Sequence, residues 1–199
     1  MRSSLLFSSC FAAGILIGQI DGFPVYLAQD NMGMYLLYVL IILVGINIGG
    51  DTKVFRKVLQ VGWQTFLVPL FIIIGTLVGI GLTGLLITDL SVMDSFAIGA
   101  GFGYYSLSSV IIRQMGGETL GVLALLTNII REVSTILFTP AMIKIFGKLA
   151  PIASGGATAM DTTLPVIQKN LGSRYAVIAV ISGLVLSILV PIIVPLFLT

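Results

Sequence analysis

The sequence predicts an all-α polytopic membrane protein of about five transmembrane helices plus two re-entrant or broken helices in an inverted repeat. Three observations carry this. First, the 199 residues are 57% hydrophobic and only 9% charged, with a mean hydropathy of +1.14. A soluble domain carries about 25% charged residues, so a soluble fold of this composition could not cover its surface. Second, apolar runs near the ~20 residues that a helical crossing needs follow one another with only short polar breaks. Third, two glycine- and hydroxyl-rich stretches interrupt apolar sequence and align with each other at an offset of 55 residues.

Residues 5–20 form the first span, closed by the turn-forming Asp21-Gly22-Phe23-Pro24. The run is read as a membrane span rather than a cleaved signal, because no small-x-small site follows it. The second span covers about 32–48 and ends at Gly49-Gly50-Asp51, followed by the basic stretch Lys53, Arg56, Lys57. The third, about 58–87, is long enough to cross with tilt. Its Gly75-x-x-x-Gly79 spacing reads as ordinary helix packing. Residues 1–90 thus make a three-helix module. Residues 91–145 make a broken segment plus a helix, and 146–199 repeat that unit.

In the repeat, Gly101 falls on Gly156, Ser106 on Asp161, Ser108 on Thr163, Ile112 on Ile167, Gly117 on Gly172 and Pro140 on Pro195. Non-helical backbone at membrane depth is tolerated only where protein or a water-filled cavity covers it. Interrupted segments at matching places in two repeats therefore point to a transporter binding site. The structural alternative is two ordinary helices with small-residue packing faces. With Arg2 inside and both broken segments re-entrant, eight of the nine basic residues other than Arg131 lie inside, and only Arg113 lies outside. Two full crossings satisfy the same rule for seven residues. The re-entrant topology puts the N-terminus inside, the C-terminus outside and the two units in opposite orientation.

The absence of histidine excludes a Ser-His-Asp triad, a histidine zinc site and a histidine proton relay. A single cysteine, Cys10, excludes an intrachain disulfide. No cofactor is expected, and a net charge of +2 gives no reason to expect nucleic acid. An ionisable group at mid-bilayer costs at least about 2.5–3.5 kcal/mol, so it is a functional candidate by default. Glu132 is such a group. Asn128, Glu132, Thr135 and Thr139 recur as a polar stripe on an apolar helix. Glu132 is read as holding a cation or proton; the structural alternative is that it neutralises a buried base, with Arg131 nearby. Adjacent helical residues do not face each other, which argues against a direct pair. Asp161 reads as a helix N-cap with Pro165 in the first turn, or as a second charge in a cation site. Thr158, Thr162, Ser106 and Ser108 could supply neutral oxygens, and the tips carry Gly101, Gly103, Gly155 and Gly156. Asp51, four residues after Asn47, reads as a solvated boundary charge.

Val44-Gly45-Ile46-Asn47, the stretch from Gly101 to Ser108, Asn128-Ile129-Ile130-Arg131-Glu132 and the stretch from Gly155 to Pro165 together resemble the bacterial lysine exporter family, LysO. The resemblance covers nearly the whole chain. It implies a multi-pass protein of the bacterial cytoplasmic membrane that exports L-lysine and protects against the analogue thialysine, with an intramembrane glutamate at Glu132 that matters for transport. Typical members carry an extra N-terminal module, and some are split in two. The implied partners are therefore the lipid bilayer, lysine, protons, and either a small companion membrane subunit or a second copy. Exchange for protons suits the energetics, since an inside-negative potential opposes cation exit by about 2.3 kcal/mol per charge per 100 mV. An exporter of another small or basic amino acid, a passive channel, and an intramembrane enzyme using Glu132 and Asp161 remain as alternatives.

Overall fold

The computed structural model describes residues 63–86 and 90–198, with six isolated positions between 35 and 46. The span expected at 5–20, most of that expected at 32–48, Asp51 and the basic stretch 53–57 lie outside the described residues. A 3-10 turn, Trp63–Phe66, leads into α1, Leu67–Gly84. Then come α2 (Val92–Gly99), α3 (Tyr105–Gly116), α4 (Glu118–Phe146), α5 (Ala150–Gly155), a 3-10 segment (Gly156–Met160), α6 (Leu164–Leu171) and α7 (Ser173–Leu196). No strand occurs among the described residues, and α1, α4 and α7 are long and apolar enough to cross a membrane.

The short helices have local causes. Ser91, in an extended conformation, caps α2 by accepting from the Asp94 N–H at 3.0 Å. The helix stops after eight residues, where Phe102 (φ +45°) and Gly103 (φ +93°) turn the backbone left-handed. At 1.5 Å per residue, α2 reaches about 12 Å and α3 about 18 Å, so neither crosses a core of about 30 Å alone. Gly117 (φ +94°) then folds α3 back along α4, and Gly172 (φ +82°), 55 residues later, does the same between α6 and α7. A side chain would be strained at both, so glycine makes the tight hairpin possible.

The most buried span is α7, half of whose most apolar stretch is covered, against 28% for α4 and 17% for α1. It is the centre around which the rest packs. At one end, Lys148 lies over the Tyr175 ring, 5.9 Å from its centroid, and Val68 of α1 packs on the cluster Ile152, Ala159, Ile167 and Ala179. At the other end, Phe96 of α2 stacks on Phe197 with centroids 5.3 Å apart, and a Cβ on Gly116, the last residue of α3, would lie 3.2 Å from Leu198. The pair α2–α3 is thus anchored at the C-terminal end of α7, and α5–α6 at its N-terminal end.

Large apolar side chains such as Phe71, Ile130, Leu137 and Phe138 are exposed, as suits a surface solvated by lipid. Close contacts instead use small residues, as is usual where lipid leaves no hydrophobic drive between helices. A Cβ on Gly183 would fall 2.6 Å from Met160. The Gly75-x-x-x-Gly79 face behaves otherwise. A Cβ at either position meets nothing within 4 Å, so it is not a contact between described helices.

Candidate functional site

The tips of the two broken segments touch backbone to backbone. The Ala157 N–H donates to the Phe102 carbonyl at 2.8 Å. A Cβ on Gly156 (φ +62°) would collide with that carbonyl oxygen, and one on Gly103 would sit 2.7 Å from the Gly155 oxygen. The contact lies deep along the spans. Asn128, which holds the first tip, is ten residues into α4, and Gly183, which meets the second, is ten residues into α7. Ten residues are about 15 Å, half the depth of a bilayer core.

Two side chains of α4 supply what the broken backbone lacks. Asn128 is buried; its Oδ1 accepts from the Gly103 N–H at 2.8 Å, while its Nδ2 donates to the Ala124 carbonyl at 2.8 Å and towards Ile98 at 3.5 Å. Arg131 serves the second tip. Its Nε donates to the Ser154 carbonyl at 2.7 Å and its Nη2 to the Ala153 carbonyl at 2.9 Å, with Thr76 Oγ1 at 3.5 Å. Thr135 donates to the Arg131 carbonyl at 2.8 Å and shares a 2.7 Å hydrogen bond with Ser154. These bonds answer the requirement that backbone polar groups at membrane depth find partners within the protein.

The inward stripe of α4 is therefore Asn128, Arg131, Thr135 and Thr139, with the partly buried Glu132 at its edge. Sequence reasoning gave Arg131 no role beyond that of a neighbour for Glu132. Its guanidinium is engaged by α5 carbonyls, and the ion pair found among the described residues is the exposed Arg113–Glu118.

A cleft of about 50 Å³ opens where the tips meet, and its lining includes Tyr105, Ser106, Thr158, Asp161, Thr162 and Ser187. That volume holds a few water molecules or a small polar group, not a whole amino acid. Asp161 is exposed there, and its Oδ1 accepts from the Thr162 N–H at 2.5 Å and the Thr162 hydroxyl at 3.2 Å. It is not the N-cap of α6. That position belongs to Thr163, whose hydroxyl bonds the Thr158 carbonyl at 3.0 Å, because a 3-10 segment rather than a simple turn precedes the helix. The Tyr105 phenol lines the cleft and lies within electrostatic reach of both Glu132 and Asp161, which places the helix carboxylate beside the cleft.

Of the expected site residues, Gly103, Ser106, Thr158, Asp161 and Thr162 line the cleft. Thr158 also donates to the Gly155 carbonyl at 2.9 Å. Asn128, Thr135, Gly101, Gly155 and Gly156 lie in the packed shell beneath it. Ser108 is there too, fully buried and without a hydrogen-bond partner, its Oγ 2.7 Å from where a Gly101 Cβ would stand. Tyr105 and Ser187 were not foreseen. An aromatic pair, Tyr104-Tyr105, inside a glycine-hydroxyl stretch was the available signal for the first.

Apolar spans around two broken, polar-tipped segments define an α-helical membrane protein with a polar break at membrane depth. The chain belongs to the lysine exporter LysO family, whose profile matches residues 8–198. It is 30% identical over 194 residues to the lysine exporter LysO of Escherichia coli, covering 98% of this chain and 64% of that protein. It is also 30% identical over 191 residues to a candidate lysine exporter of Haemophilus influenzae, covering 93% and 95% of the two chains. The chain thus spans less than two thirds of the Escherichia coli relative. No solved structure matches it. The family is one of exporters rather than enzymes, and the bacterial relatives and apolar helices point to the bacterial inner membrane.

Proposed function

We propose that the chain is a secondary transporter that exports L-lysine, and its analogue thialysine, across the bacterial inner membrane in exchange for protons. One observation carries the reading. Glu132 stands at membrane depth within electrostatic reach of the cleft residue Tyr105, while the adjacent Arg131 is engaged by carbonyls elsewhere. A carboxylate with no fixed cation among the described residues is free to take either a proton or a substrate ammonium group. In this reading Asp161 receives the second ammonium group, and Ser106, Thr158 and Thr162 complete its shell. The lysine carboxylate is drawn to the partial positive charge of the half-helix N-termini. The cleft as it stands suits an occluded state, since it admits only a polar head group.

The two broken segments are read as opposed re-entrant hairpins of an inverted repeat, the arrangement that alternating access uses. Support comes from their anchoring at opposite ends of α7, by Phe96–Phe197 and Lys148–Tyr175, and from the tip contact between them. The basic residues Lys144, Lys148, Lys169 and Arg174 then face the cytoplasm, with the N-terminus inside and the C-terminus outside. A small companion membrane subunit or a second copy belongs to the same proposal. Counterflow of labelled lysine in proteoliposomes, with and without any small membrane protein encoded beside this one, tests it. Saturable lysine exchange is the expected result. Uncoupled flux at channel rates, or exchange of other solutes only, would overturn it.

A further inference from the structure

An apolar groove of about 330 Å³ runs between α6 and α7, away from the tips. Leu164 and Gln168 line it from α6, and Ala176, Val177, Val180 and Ile181 from α7, with Ser173 at its outer end. The α7 residues recur at helical spacing and form one face. From Ser173 to Ile181 the groove extends about 12 Å along the helix, close to the depth of one leaflet. Its deep end is aliphatic, and its outer end is polar and basic. Arg174 is exposed and shares the edge of the face with Val177 and Ile181, and the exposed Lys169 follows Gln168. No aspartate or glutamate occurs after Asp161, so neither α6 nor α7 offers these two cations an acidic neighbour. An apolar slot one leaflet deep under two cations that have no acidic neighbour on α6 or α7 complements a lipid whose head group is negative.

We propose that this groove binds an anionic phospholipid, one acyl chain lying against Val177 and Val180 and the phosphate held by Arg174 and Lys169. The site is separate from the cleft and does not depend on which solute is carried.

Native mass spectrometry of the full chain in detergent, with dioleoyl phosphatidylglycerol or dioleoyl phosphatidylcholine added, tests it. The glycerol lipid should be retained in preference to the choline lipid. Each of Arg174→Gln and Lys169→Gln should weaken retention of the glycerol lipid by about fivefold and leave the choline lipid unchanged, since one basic residue near a membrane surface contributes about 1 kcal/mol. Val177→Trp, which fills the slot, should reduce retention of both. Equal retention of the two lipids by the unaltered chain would overturn the proposal. So would a preference that survives both charge removals, or a dimer that Val177→Trp disrupts while lipid retention stays constant.

Discussion

The carbonyl of Phe102 accepts a hydrogen bond from the N–H of Ala157 at 2.8 Å, and the two residues stand 55 positions apart, the offset at which the glycine-rich stretches align. Equivalent residues of the two broken segments are therefore in direct contact. The same offset relates Asn128 to Gly183, each receiving the tip that precedes its own helix, and Gly117 to Gly172, each folding a short helix back on a long one. Any change at the tips should thus be felt by both halves.

Gly156→Ala tests how rigid that contact is. The left-handed backbone alone costs a side chain about 1–2 kcal/mol. Gly172→Ala bears only that cost, because a Cβ there meets nothing within 4 Å. At Gly156 the new methyl would also collide with the Phe102 carbonyl, a backbone atom that cannot swing aside. In a melting assay in detergent, Gly156→Ala should lose clearly more stability than Gly172→Ala. Equal losses would mean that the tips do not press on each other.

Asn128→Leu should destabilise the protein by about 1–3 kcal/mol, the cost of stranding a buried donor such as the Gly103 N–H. Its shape is nearly conserved, so the loss reports the hydrogen bonds and not a cavity. Transport should fall with stability, since the tip that lines the cleft would lose its anchor. A Leu variant that melts with the parent protein would remove Asn128 from the scaffold.

Arg131→Gln separates the neighbours on α4. It removes charge-assisted bonds to the Ser154 and Ala153 carbonyls, each worth about 1.5–3 kcal/mol. Stability should drop even in the absence of substrate. Arg131→Lys should recover only part of it, because an ammonium group cannot reproduce the planar fork that meets two carbonyls. Full recovery by lysine would point to charge alone.

The three described spans and the two breaks between them were legible because hydropathy and glycine content are local properties of the chain. So was the argument against a direct Arg131–Glu132 pair, which follows from helix geometry. The partners of Arg131 were not legible: its bonds go to backbone carbonyls of α5, 22 and 23 residues away, and carbonyls carry no sequence signature. Asp161 looked like an N-cap because its neighbours permit one. Only the 3-10 segment before α6 moves the cap to Thr163 and leaves the carboxylate at the cleft. Ser108 and Ser106 differ by two positions in one helix, and helical phase, which the broken start of α3 sets, buries one and exposes the other.

Opposed hairpins make a prediction about sidedness. Single cysteines at positions 113 and 148, in a Cys10→Ser background, should be labelled from opposite sides of the membrane, 113 from outside and 148 from the cytoplasm. Both positions lie at exposed ends of the described elements, so access is not limited by burial. Labelling of both from one side would contradict the re-entrant arrangement.

Glu132→Gln tests the central claim most directly. The substitution keeps the size of the side chain and its capacity to hydrogen-bond but removes the charge and the titratable proton. Breaking a buried ion pair costs about 3–5 kcal/mol, and the arrangement around Arg131 says that no such pair is broken here. The variant should therefore insert, fold and melt at or above the temperature of the parent protein, while lysine counterflow and protection against thialysine collapse. A stable, well-expressed Glu132→Gln protein that still exchanges lysine and protects cells would contradict the account.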